Sequence, residues 1–286
     1  MVLRWTMPTP NFLDPHARAR AFGEHSARRR AAAVMPAERF DFAAQLVGKT
    51  SDGNTTLYVD PSLGKPGSDL AREILATLDT TCAHSQAYFG IPIRPVNVII
   101  AAVGNATDGS GGGYHYGCSF DKGGDIYCDA AFGNPGLTNG LIVAELTECF
   151  MGAQKKGWDC GGSNGEALSR FLAELESGGP QGALAGFSTG PLWDRAGRPN
   201  WIDATEPTDQ DGASIGCGIV YLYWMMTQGF AAARITRAGS PDGTLASNYA
   251  ALTGRASAWS DFIAAVGALS PGIVSDDPWG TAARVA

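Results

Sequence analysis

The sequence predicts an α+β domain: a small mixed sheet with a hairpin, followed by a mainly helical C-terminal half. Three stretches carry this expectation. "PVNVIIAAV" at residues 95–103 is β-branched and apolar, as a mid-sheet strand requires. Leu70, Ile74, Leu75 and Leu78 recur at helical spacing and give an apolar stripe. "GASIGCGIVYLYWMMTQGFAAA", from Gly212 to Ala233, has no charged side chain, and Asp209 and Asp211 precede it as suits a helix N-terminus.

The remaining elements follow in order. "TTLYVDP" at 55–61 reads as a short strand ending at proline. The helix after it takes Ser68 or Asp69 as N-cap and stops at Gly90. "GNATDGSGGGYHYG" is a glycine-rich loop without the lysine or spacing of a phosphate cradle. It leads to a hairpin whose turn is Lys122-Gly123-Gly124-Asp125. Helices are expected from Leu137 or Thr138 to Gly152, and from Ser163 or Asn164 to Glu176. The stretch that follows is rich in glycine, proline and tryptophan. It reads as a long ordered connection, because Trp193, Trp201 and Ile202 favour burial. "GTLASNYAALTG" and "AWSDFIAAVGAL" supply two more helices. Residues 1–45 read as a basic N-terminal extension, 46–270 as one globular domain and 271–286 as a loosely ordered tail.

Charge is uneven along the 286 residues. Residues 1–40 hold seven Lys/Arg against three Asp/Glu, and the rest holds 14 against 25. The acidic body argues against nucleic acid as a partner, since neutralising phosphates needs a basic surface. The basic stretch reads as a solvated extension, with an amphipathic helix or a targeting arm as alternatives. The uncharged run is long enough for a membrane span. Its four glycines and the absence of a flanking basic cluster favour a buried helix.

Six cysteines are present: Cys82, Cys118, Cys128, Cys149, Cys160 and Cys217. Their spacing suggests the pairs 118–128 and 149–160, leaving 82 with 217, in an oxidising compartment. Six buried free thiols are the alternative. The disulfide reading implies a secreted or periplasmic protein, though no secretory leader is visible.

"GLIVAELTECF" at 140–150 carries the chemistry. On a helix Glu145 and Glu148 share a face, while Val143, Leu146 and Phe150 turn toward a core. Adjacent half-buried carboxylates raise each other's proton affinity, so they need water, a cation or an opposing base. Arg170 and Lys155 are candidate partners. Glu166, at the start of the next helix, can reach the same place if the two helices are antiparallel.

The order strand, hairpin, helix with x-E-x-x-x, and helix opening "SNGEALSR" resembles the glutamate-ligand branch of the zincin metallopeptidases. The likeness covers roughly residues 95–176. It implies a zincin-like fold, with Glu145 at the general-base position and Glu166 near the position of the third zinc ligand. Ala144 and Glu148 stand where that family has its two zinc-binding histidines, and the family usually has N-E where this chain has N-G-E. The resemblance therefore implies a degenerate peptidase without the ordinary zinc site.

Two functions follow as expectations. One is a hydrolase, glycosidase-like or peptidase-like, that uses Glu145, Glu148 and Glu166, with Asp159 or Asp125 nearby in sequence, for acid/base chemistry on a glycan or peptide. His115, Tyr114, Tyr116 and Trp158 would bind its substrate. No metal ligand set is assigned, although the same oxygens would suit a hard cation such as calcium. The other is a non-catalytic peptide- or glycan-binding protein on the same fold.

Overall fold

The structure is a computed structural model that describes residues 44–115, 118, 120, 125–270 and 272–282. The read extension at 1–45 lies almost wholly outside these residues, as do Tyr116 and the turn at 122–124.

The architecture is α+β, with five strands and eight α-helices among the described residues. The strands are β1 (Gln45–Lys49), β2 (Thr55–Val59), β3 (Val96–Ala101), β4 (Gly113–His115) and β5 (Asp125–Asp129). Their spatial order is β1-β2-β3-β5-β4. The three middle strands run parallel, and the two edge strands are antiparallel to their neighbours. β3 is central, as its apolar run demands, with Val98 and Ile100 fully buried.

Helix α1 (Gly64–Phe89) links β2 to β3 and buries Leu70, Ala71, Ile74 and Leu78. It begins earlier than Ser68. Asp60 accepts from Ser62 N at 2.8 Å and starts a short 3-10 turn that runs into the helix. Ser68 instead bonds back to the Gly64 carbonyl at 3.0 Å. Gly90 ends the helix in the left-handed conformation, φ 71°.

Helix α2 (Pro135–Gln154) opens with Asn134 as N-cap, its side chain accepting from Leu137 N at 3.2 Å, and Pro135 in the first turn. Its buried residues run almost without a break from Leu137 to Met151. It packs against the sheet, α1 and α3 (Ser163–Glu176). On a helix buried on nearly every side, a carboxylate is costly without a partner.

The connection after α3 is ordered, as expected: Trp193 and Ile202 are fully buried. It holds α4 (Gly190–Arg195). Helix α5 (Gly212–Thr227) is the predicted buried helix, capped by Asp211. The uncharged run breaks at Gly229, φ 85°, and resumes as α6 (Ala232–Ala238). Helices α7 (Leu245–Thr253) and α8 (Ala258–Gly267) follow. No described helix is long and apolar enough to cross a membrane. Residues 272–282, read as a tail, pack onto the body. Asp276 is fully buried and accepts from the backbone N–H groups of Thr189 and Gly190.

Candidate functional site

Strand β4 places the first residue of the site. Its register sets His115 opposite Ile126 and Tyr114 opposite Tyr127. Side chains alternate across a strand, so Gly113 and His115 share one face and Tyr114 takes the other. The shared face looks at α2: a Cβ on Gly113 would lie 2.9 Å from Cγ and Oε1 of Glu145. His115 Nδ1 is hydrogen-bonded to Glu145 Oε2 at 2.7 Å and lies 3.6 Å from Glu148 Oε2.

Helix α3 brings Glu166 to the same place. Asn164 fixes its first turn by donating to the carbonyls of Gly157 and Gly243 and accepting from Gly165 N at 2.8 Å. The extra glycine in "SNGE" has a steric cause. A Cβ at Gly165 would lie 1.9 Å from the Asp159 carbonyl, where the incoming loop crosses the helix start.

The three sequence-predicted glutamates therefore converge. All are buried: Glu145 at 5%, Glu148 at 2% and Glu166 at 5% exposure. Burial pushes the Glu148 carboxyl well up from its ordinary value, helped by the charges of Glu145, Glu166 and Asp209 and by a hydrogen bond with Glu166. Asp209 is a member that sequence reasoning used only as a helix-start signal. Ser163 and Glu206 exchange hydrogen bonds, 3.0 Å each way, and so tie its segment to the start of α3. Burial and the nearby Glu145 raise Asp209 to about 6.

Several expected participants stand elsewhere. Trp158 is buried at 5% and its indole donates to the Thr236 carbonyl at 3.0 Å, so it is a core residue rather than an exposed platform. Tyr114 is buried on the opposite sheet face and stacks on Tyr127, centroids 5.7 Å apart. Arg170 donates to the Phe187 carbonyl, and Lys155 is the C-cap of α2. Asp125 accepts from Asn97 on the adjacent β3, and Asp159 from Gly161 N.

The cysteine pairing also differs from the expected one. The disulfide joins Cys118 to Cys160, and Cys82, Cys128, Cys149 and Cys217 are buried free thiols. The β4–β5 register sets Gly113, not Cys118, opposite Cys128. Cys118 lies beyond the ladder and meets the loop after α2.

A cleft of about 860 Å³ near His84, Tyr88 and Phe230 lies apart from these residues. There Glu176 holds both the Tyr88 hydroxyl (2.6 Å) and His84 Nδ1 (2.7 Å). No family model, curated protein or solved structure matches the chain.

Proposed function

We propose that the chain is a hydrolase using the Glu145, Glu148 and Glu166 cluster for acid/base chemistry on a polymer, with a peptide favoured over a glycan. One observation carries the reading: three glutamates and a histidine from β4, α2 and α3 meet in a buried place where each alone would be costly.

The roles follow from the contacts. Glu148 has reason to stay protonated, so it is the general acid. Glu145 orients His115 through Nδ1, and this pair accepts the proton of an attacking water. The hydrogen bond between Glu148 and Glu166 resembles the proton-sharing carboxyl pairs that activate water against an amide. Inverting glycoside chemistry instead needs carboxyls far enough apart to hold a water between them.

The zincin-like assignment belongs to the same proposal. It is supported by an edge strand beside a helix bearing Glu145, with Glu166 on the next helix. The disulfide supports a secreted or periplasmic setting.

A non-catalytic binding role is favoured by one feature, the near-complete burial of all three glutamates. The two readings separate on a panel of peptide and polysaccharide substrates. Glu145→Gln and Glu166→Gln abolish turnover of at least one substrate, with circular dichroism unchanged, if the hydrolase reading holds. Absence of any turnover by the wild type, with tight binding of a panel member, supports the binding role.

A further inference from the structure

Beside the cluster lies a sulfur. Cys160 is joined to Cys118, their Cα atoms 5.9 Å apart. A ring nitrogen of His115, a carboxylate oxygen of Glu148 and Sγ of Cys160 lie within 4.8 Å of one another. The His115 side chain is only 4% exposed, and its Nε2 is buried with no hydrogen-bond partner among the described residues. With Glu145 as carboxylate, Nδ1–H donates to it and Nε2 keeps a free lone pair, the usual orientation of a ligating histidine.

Nitrogen, oxygen and sulfur donors together suit zinc, with bonds of about 2.0–2.3 Å. Ligand atoms around such an ion sit roughly 3.5 Å apart, so small side-chain rotations close the present spread. A disulfide sulfur is not a thiolate and does not serve as this ligand.

We infer that the Cys118–Cys160 disulfide gates a zinc site made by His115, Glu148 and Cys160, closed when oxidised and open when reduced. Two electrons and two protons from a dithiol reductant cleave the S–S bond, giving two thiols and the oxidised reductant. Zinc then binds as the Cys160 thiol and the Glu148 carboxyl release their protons to solvent. The +2 charge offsets the crowded carboxylates, Glu166 included. His115 and Cys160 stand outside the helix motif behind the zincin resemblance. The inference does not rest on hydrolase activity.

The test is metal binding by the full chain. Cobalt(II) is titrated into oxidised wild type and into Cys118→Ser, which leaves Cys160 as a thiol. Zinc affinity is read by competition. Cys118→Ser takes up one equivalent and shows a thiolate-to-cobalt charge-transfer band; oxidised wild type shows none. Adding Cys160→Ser removes the band, and adding His115→Ala weakens zinc binding by roughly tenfold or more. If Cys118→Ser fails to fold, wild type reduced by a phosphine and desalted under anaerobic conditions replaces it. A folded, reduced chain without thiolate-ligated cobalt overturns the inference. So does a band that survives loss of Cys160.

Discussion

His115 Nδ1 sits 2.7 Å from Glu145 Oε2, and the two residues come from different layers: the last position of an edge strand and the middle of a buried helix. The contact fixes the imidazole and gives Glu145 a partner away from water. It also sets Glu148 apart, because the same nitrogen is 3.6 Å from that carboxylate. Burial, the neighbouring carboxylates and a hydrogen bond with Glu166 raise the proton affinity of Glu148.

Glu148→Gln separates chemistry from stability. The folded-state proton affinity of Glu148 is raised, so the wild type loses stability as pH rises and this carboxyl is forced toward ionisation. Glutamine keeps the shape without the titration. The variant gains on the wild type as pH rises above the ordinary carboxylate value, and its hydrolysis is lost. Thermal melts across pH, paired with turnover, check this.

Asp209→Asn has a defined window. Unfolded, this aspartate titrates near 3.8; folded, near 6. The stability its proton confers is complete below the unfolded value and is lost as pH rises through about 6. The wild type therefore loses roughly 2–3 kcal/mol relative to the asparagine variant between pH 4 and 7, with little further change above. Urea denaturation at a series of pH values measures the difference.

Gly113→Ala acts on geometry. The added Cβ reaches within 2.9 Å of the Glu145 carboxylate, the flexible end of a side chain. The expected cost is about 1 kcal/mol, while displacement of Glu145 from His115 lowers turnover by roughly a hundredfold. A loss of stability with full turnover would show that this face is not reactive.

Asp276→Ala tests the C-terminal segment. It strips the acceptor from the backbone N–H groups of Thr189 and Gly190 in a fully buried place. The expected loss is about 2–4 kcal/mol, with faster proteolysis after Gly267, read by denaturation and peptide mapping.

Local rules made much of this legible. Helix α3 runs from Ser163 to Glu176, the bounds expected of it, and β3 takes the centre that its apolar run requires. Helical spacing puts Glu145 and Glu148 on one face, but Glu166 joins them only through the packing of α3 on α2, which the sequence left as a condition. What escaped depends on long-range register. The β4–β5 register sets Gly113 opposite Cys128, and Cys118 pairs with Cys160 instead, a register that glycine-rich sequence does not reveal. Asp209 joins through the Ser163–Glu206 tie, across a sequence gap with no periodic signal. Trp158 looked available because tryptophan suits both core and sugar; only the Thr236 contact decides.

The central claim is that one carboxyl of the cluster keeps its proton at neutral pH beside a group able to accept one. Infrared difference spectroscopy of wild type against Glu148→Gln at pH 7 reads this directly. The account predicts a protonated-carboxyl C=O stretch in the wild type that disappears in the variant. A fully ionised wild type, with no such band and no change on substitution, would contradict it.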